Sequence, residues 1–282
     1  MIATICAIMV PMSDSSDDRS DFELKEPQGE VLSDTPSLPG EVIAFQNAEA
    51  VMDQLGSDLV EHALTCVRLF GDFHIALSGG NTPMPFYRRL MYDPNFRNLP
   101  WRRTHLWMVD ERRVPFDDDV SNFKHINEII VEHADIPPEQ VHPIHAVDDD
   151  APQAYEKALR DVLGWREKGQ DRLDFVLLGM GDNGHTASLF PETSVLHEHD
   201  HFVGICQGPT VTPPDRVTMT YPLLNASRFI APLVLGSNKA EMINRVATGG
   251  DSYEQIPIKG IKPIGGVLRW YLDAAACGHD QD

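Results

Sequence analysis

The stretch GMGDNGHTASLFP, residues 179–191, places an imidazole among closely spaced glycines directly after the apolar run LDFVLL. His185 has an ordinary pKa of about 6.5, so it can accept and return a proton near neutral pH. The glycines also spell G-x-G-x-x-G, which is typical of dinucleotide loops that open a crossover helix. Pro191 follows Gly184 too closely for such a helix. We therefore set the dinucleotide interpretation aside and keep two alternatives for His185, a proton-transfer residue or a structural histidine.

A second glycine-containing loop, SGGNTP, joins the apolar run FHIAL to a helix that Pro83 can begin. Its glycines let a ligand approach the backbone, and its hydroxyls and the amides at the helix start can donate hydrogen bonds, which suits a phosphate group. A plain tight turn closed by a Ser or Thr cap fits the same spacing. The candidate binding residues are Ser78, Gly79, Gly80, Asn81 and Thr82.

Three cations complete the candidate site. In the long polar loop VDERRVPFDDDVSN, Arg112 or Arg113 can present a fork of donors to a phosphate, a carboxylate or a polarised carbonyl. An Arg–Asp network that only holds the loop is the alternative, and it is favoured for Arg113 and the DDD run. Arg216 opens the run RVTMT, and Lys239 follows GSN where a helix should start. Spacing alone favours a surface position for Lys239. The DDD run lacks further ligands at a recognised metal-binding spacing, so we predict no metal site.

These loops follow runs that alternate between strand-like and helix-like patterns, which predicts a mostly parallel sheet flanked by helices. Polar loops that leave the carboxyl ends of parallel strands meet at one edge of the sheet, where ligands bind. The predicted strands are 41–45, 73–77, 105–109, 140–144, 174–178, 201–206, 216–220 and 229–235; the predicted helices are 47–71, 83–91, 123–133, 154–163 and two that begin near Asn238 and Gly265.

Composition narrows the class of partner. The chain has 282 residues, 42% of them hydrophobic, and 23 Lys and Arg against 43 Asp and Glu, for a formal charge of −20. That charge repels a nucleic-acid backbone, whereas a few converging arginines can still bind a small anion. Four widely spaced cysteines without a C-x-x-C pair indicate a reducing compartment, and we expect a cytoplasmic protein.

The amino-terminal segment has a different character. MIATICAIMVPM is too short to span a bilayer and carries no Lys or Arg, so neither a membrane anchor nor a signal peptide is expected. Residues 13–40 are rich in Ser, Asp, Glu and Pro and cannot bury enough apolar surface to offset their ordering entropy. We predict a disordered acidic extension over residues 1–40 and a single α/β domain over 41–282.

Taken together, LSGGNTP, MVDERRVPFDDDVSN, LLGMGDNGHTASLFP, PPDRVTMTYPLLN and LGSNKAE resemble, in order and spacing, the 6-phosphogluconolactonase family over roughly residues 41–275. The resemblance implies a sugar-phosphate isomerase-like (Rossmann-like) α/β fold. It also implies hydrolysis of 6-phospho-D-glucono-1,5-lactone to 6-phospho-D-gluconate in the oxidative pentose phosphate pathway, without cofactor or metal. We expect a small-molecule sugar-phosphate lactone as the partner, and a monomer or weak homodimer.

The resemblance also implies residue roles. It makes His185 the general base, brings Arg112 into the cleft, places the SGGNTP loop around the substrate, and assigns Arg216 and Lys239 to the phosphate. One departure concerns the residue before Gly184, which is Asn183 here and usually an aspartate in the family, while Asp182 lies one place earlier. Either side chain is a candidate to orient the imidazole.

Two other functions stay open on the sequence. A sugar-phosphate-binding protein without catalytic activity would use the same loops. A glucosamine-6-phosphate deaminase would share the fold, but those enzymes carry a GHIAFNEP-like segment where this chain has GHTASLFP.

Overall fold

The computed structural model describes residues 29–279 and is built around a sheet of seven parallel strands. The order across this sheet is β1-β10-β9-β6-β2-β3-β5, and a smaller antiparallel sheet has the order β4-β8-β7. The strands are β1 (Glu41–Phe45), β2 (Phe73–Leu77), β3 (Thr104–Met108), β4 (Asp110–Arg112), β5 (Val141–His142), β6 (Phe175–Leu178), β7 (Val203–Gln207), β8 (Asp215–Met219), β9 (Phe229–Val234) and β10 (Val267–Asp273).

The predicted α/β architecture with a mostly parallel sheet is confirmed. Strands β2, β6 and β9 are buried along their whole length, as expected for continuous apolar runs covered on both faces. The α-helices are α1 (Ala48–Phe70), α2 (Met84–Tyr92), α3 (Asn122–Ile126), α4 (Ala151–Leu163), α5 (Tyr221–Ala226) and α6 (Ala240–Thr248).

Helix α1 has the limits that its sequence predicts. The Asn47 side chain accepts a hydrogen bond from the Ala50 N–H at 2.9 Å, which satisfies one free amide at the helix start. The helix ends at Gly71, whose φ of 91° lies in the left-handed region that glycine adopts without strain.

The predicted helix near Gly265 is wrong, because residues 267–273 form strand β10. Its run VLRWYLD is rich in β-branched and aromatic residues, and it pairs with β1 on one side and β9 on the other. The predicted helix over 123–133 is split into α3 and one wider turn, Asn127–Val131. The strand predicted over 140–144 is reduced to β5 because it pairs only with β3 at the edge of the sheet.

Contacts with the core begin before the predicted domain start at Glu41, while residues 1–28 lie outside the described residues. Leu38 is buried, and the Leu32 N–H donates to the Ala44 carbonyl at 2.9 Å. The Trp270 indole N–H donates to the Pro39 carbonyl at 2.9 Å. Backbone hydrogen bonds and the buried Leu38 side chain therefore attach residues 31–39 to this edge of the sheet.

An ion network closes the amino edge of the main sheet. The Asp174 carboxylate has no exposed surface and accepts hydrogen bonds from Arg166 at 2.7 Å and Arg228 at 3.0 Å. It also accepts the His74 backbone N–H at 2.8 Å. These donors offset the cost of burying the charge. Within residues 29–279, no helix is long and apolar enough to cross a membrane.

Candidate active site

The loops that follow β2, β4 and β6 meet at the carboxyl edge of the main sheet and enclose a cleft of about 430 Å³. The antiparallel sheet of β4, β8 and β7 supplies a further wall. The lining residues include Ser78, Gly79, Gly80, Asn81, Thr82, Asp110, Arg112, Asn122, Gly181, His185, Ser188, Phe190 and Arg216.

The glycines around His185 form a tight turn that seats the imidazole. The Gly184 N–H donates to the Gly181 carbonyl at 2.9 Å, and the Gly181 N–H donates to the His185 carbonyl at 2.8 Å. Gly184 has a φ of 76°, and a Cβ on Gly181 would overlap the His185 ring. The Phe190 ring packs on the other side at 4.6 Å between centroids. This G-x-G-x-x-G therefore positions an imidazole, consistent with setting the dinucleotide interpretation aside.

Asn183 determines which nitrogen of the His185 imidazole carries the proton. Its Oδ1 atom accepts the His185 backbone N–H at 3.2 Å, so this atom of the amide must be the oxygen. The same oxygen lies 2.6 Å from His185 Nδ1, which must then carry the proton and donate it. In the neutral ring Nε2 consequently keeps its lone pair, as a general base requires.

The surroundings keep the imidazole neutral. Burial lowers the pKa of His185 below its ordinary value; the Asp110 charge opposes this, and the charges of Lys239 and Arg216 add to it. At neutral pH the ring is therefore mainly unprotonated and able to accept a proton.

Two arginines of the cleft are paired by the antiparallel register. Arg112 on β4 lies opposite Arg216 on β8. Arg216 is only 4% exposed and donates to the backbone carbonyls of Pro213 and Asp215, while Arg112 donates to the Val120 carbonyl at 2.5 Å. Burial lowers the pKa of Arg216, but the group stays protonated. This side of the cleft is therefore suited to an anion.

In the SGGNTP loop, two glycines shape the backbone beside the cleft, and the Ser78 hydroxyl bonds within the protein. Gly80 has a φ of 93°, and a Cβ on Gly79 would overlap the Asn122 amide. The Ser78 hydroxyl donates to the Leu177 carbonyl at 2.8 Å, toward the neighbouring strand. The Ser78 hydroxyl proton is therefore directed at this buried carbonyl, although Ser78 still lines the cleft.

Lys239 and Asp182 pair with each other beside the cleft. Neither lines the cleft; the Lys239 ammonium contacts the Asp182 carboxylate at its rim. Asp182 therefore does not orient the imidazole, and among the two candidates it is Asn183 that contacts the ring.

Two cleft residues, Asp110 and Asn122, were missed by the sequence analysis, which concentrated on cations and glycines. Asp110 is buried and accepts the Ser188 hydroxyl at 2.6 Å, and its charge acts on Arg216 within the cleft. Asn122 donates to the Asp110 carbonyl at 3.0 Å, and its own Oδ1 is buried without a partner. The position of Asp110, directly after a buried strand, was the available signal.

Glu111 holds the long loop that contains Arg112. Its buried carboxylate accepts the backbone N–H groups of Arg112, Asn122 and Phe123, each at 2.7 Å. Burial raises the pKa of Glu111 although these three donors oppose the change. Arg113 donates to the Ala146 carbonyl at 2.9 Å, so it too serves the loop.

One group among residues 29–279 brings carboxylate and imidazole atoms close enough for a metal ion: Asp72, His74 and His105, at the opposite edge of the sheet. The Trp107 indole N–H donates to His74 Nδ1 at 3.1 Å, so His74 Nε2 carries a proton. Asp72 already pairs with Arg166. These contacts direct His74 and Asp72 toward protein partners.

Comparison with known proteins identifies the family of this chain. The family model described as glucosamine-6-phosphate isomerases/6-phosphogluconolactonase matches residues 46–270. The chain is 36% identical to a 6-phosphogluconolactonase of Nostoc sp., over 75% of this chain and 86% of that protein. It is 35% identical to the human GDH/6PGL endoplasmic bifunctional protein over 80% of this chain, but it spans only 29% of that protein's length.

A solved structure extends the similarity to the fold. The 6-phosphogluconolactonase of Thermotoga maritima has a TM-score of 0.70 and 26% identity, with 83% of this chain and 99% of that chain covered. The family model covers most of the chain, including the three loops that build the cleft. The chain therefore belongs to the glucosamine-6-phosphate isomerase/6-phosphogluconolactonase family.

Proposed function

We propose that this protein hydrolyses 6-phospho-D-glucono-1,5-lactone to 6-phospho-D-gluconate. The observation that carries the proposal is the lone pair on His185 Nε2 in a cleft lined by Arg112 and Arg216, with the tautomer set by Asn183. A lactone needs no cofactor for hydrolysis, only a base for water and donors for the carbonyl oxygen.

The reaction follows from these groups. His185 Nε2 takes a proton from a water molecule as the water oxygen bonds to the lactone carbonyl carbon, and the carbonyl π electrons move onto its oxygen. Arg112 and backbone amides of the cleft donate to that oxygen. When the carbonyl re-forms, the bond to the ring oxygen breaks, and the imidazolium returns the proton to the departing oxygen. The product carboxylic acid then ionises.

The phosphate group positions the ring without reacting. Arg216 and residues 79–82 line the cleft, where the guanidinium and the backbone amides can supply donors for a dianion. Binding energy from this remote group holds the carbonyl carbon near the base, which raises the rate by restricting the geometry.

The test compares His185→Ala with the wild type and with His133→Ala, a matched change at an exposed histidine. Initial rates of phosphogluconolactone hydrolysis are corrected for spontaneous hydrolysis. We expect the wild type and His133→Ala to accelerate hydrolysis strongly, and His185→Ala to lose about 10²–10⁴-fold in kcat. Full activity in His185→Ala would remove the base assignment. Absence of turnover in the wild type, with sugar phosphate still bound, would indicate a binding protein, and ammonia release from glucosamine 6-phosphate would indicate a deaminase.

We also propose a cytoplasmic location, a monomer or weak homodimer, and a single α/β domain over residues 41–282, to whose edge strand residues 31–39 attach. The cysteines support the cytoplasmic location, since Cys66, Cys206 and Cys277 are free thiols, two of them buried. Sedimentation velocity tests the oligomeric state, and limited proteolysis tests the domain boundaries.

A further inference from the structure

Asp182 and Asn183 are neighbours in sequence, and their side chains point to different partners. Asn183 contacts the imidazole, whereas the Asp182 carboxylate contacts the Lys239 ammonium and accepts the Asn238 amide at 3.2 Å. The tight turn formed by residues 181–184 causes this divergence. The negative charge three residues before His185 therefore pairs with a lysine 57 residues farther along the chain.

The two members of this ion pair differ in burial. The Asp182 side chain is 76% exposed, whereas the Lys239 side chain is only 12% exposed. The ammonium lies close enough to His185 that its charge contributes to lowering the pKa of the imidazole. Lys239 is thus a fixed cation beside the base, and Asp182 is an anion that can turn into water without breaking any packing.

An exposed carboxylate competes only weakly with a phosphate group for such a lysine. Exposed ion pairs contribute about 0.2–1 kcal/mol, because both groups are well solvated when apart. A phosphate dianion carries more charge and more acceptor oxygens than a carboxylate, so it forms stronger charge-assisted hydrogen bonds with an ammonium. The contact between Asp182 and Lys239 is therefore one that a phosphorylated ligand can replace.

We propose that Asp182 is a displaceable anion that holds Lys239 at the rim of the cleft and yields it to the phosphate group of the ligand. The inference rests on the proposed function for the class of ligand, a sugar phosphate. Asp182 thereby lowers affinity for all phosphorylated ligands, product included, and it discriminates against ligands too weakly charged to displace it.

The experiment measures binding by calorimetry, with 6-phosphogluconate as the probe and gluconate as the unphosphorylated control. The variants are Asp182→Asn, Lys239→Met and the double variant. Asp161→Asn is the matched control, because it removes the same charge from an exposed Lys–Asp pair on α4. We expect Asp182→Asn to bind 6-phosphogluconate roughly 3- to 10-fold more tightly, which corresponds to the strength of an exposed pair plus the repulsion removed.

The pattern across variants decides the inference. Support requires that Asp182→Asn binds 6-phosphogluconate more tightly than the wild type does. This gain in affinity must be absent in Asp161→Asn and absent for gluconate. It must also disappear when Lys239→Met is added to Asp182→Asn. An equal or weaker affinity in Asp182→Asn overturns the proposal, as does a gain that persists without Lys239. Binding is measured without turnover, so a protein that shows this pattern but no lactone hydrolysis would refute the proposed function alone; a protein that hydrolyses the lactone without this pattern would refute only the role of Asp182.

Discussion

Replacing Asn183 by aspartate tests the electrostatics of the base directly. The substitution keeps the acceptor 2.6 Å from His185 Nδ1 but adds a negative charge to it. A carboxylate there stabilises the imidazolium, so the pKa of His185, which burial now lowers, should rise. The enzyme would then need a higher pH to keep its base unprotonated.

The magnitude follows from the contact. For a carboxylate and an imidazolium whose charge centres are about 4 Å apart, Coulomb's law with an effective dielectric constant of about 20 gives about 4 kcal/mol. One pKa unit corresponds to about 1.4 kcal/mol, so the upper limit is a rise of about 3 units. Solvent reaches part of this cleft and screens the pair, so we expect a rise of about 1–2 units.

The assay is the pH dependence of kcat/KM for lactone hydrolysis, whose acidic limb reports the pKa of the base in the free enzyme. We expect the limb of Asn183→Asp to lie about 1–2 pH units above that of the wild type. Asn98→Asp is the control, since this residue precedes β3 at the opposite edge of the sheet. An acidic limb that coincides with the wild type, or lies at lower pH, would refute the reasoning that a neutral amide keeps this base unprotonated.

Three further predictions concern the turn that positions His185 and the amino edge of the main sheet. Gly181→Ala should displace the His185 ring and lower kcat at least about 10-fold while thermal unfolding changes little; unchanged kcat would contradict the role of this glycine. Burial lowers the pKa of His105 to about 4 and that of His142 to about 3, so below pH 6.5 the unfolded chain binds more protons than the folded one. Urea midpoints should therefore be highest above pH 6.5 and fall as the pH falls toward 4, and His142→Phe should flatten this slope. Asp174→Asn leaves two arginines without their buried partner and should lower the free energy of unfolding by about 3–5 kcal/mol in denaturant titrations, whereas a loss under 1 kcal/mol would show that solvent replaces the carboxylate.

Much of the fold could be predicted because its signals are local. Apolar runs of four to six residues, separated by amphipathic helices, gave a parallel sheet, and the capping by Asn47 and Gly71 set the limits of α1. Strand β10 was mistaken for a helix because its pairing with β1 and β9 involves partners that lie elsewhere in the chain. The attachment of residues 31–39 to the sheet was also missed, because these residues contact an edge strand and Trp270, which lie elsewhere in the chain.

For the site, the sequence by itself determined which loops meet and which residue types they bring, because loops that follow parallel strands leave the sheet at one edge. His185, Arg112, Arg216 and the SGGNTP backbone accordingly lie in one cleft. Only the tertiary structure decided which of two adjacent polar residues faces the imidazole. In a tight turn, the direction of each side chain depends on backbone angles and on distant partners, here Lys239 for Asp182, and these partners are brought within reach only by folding.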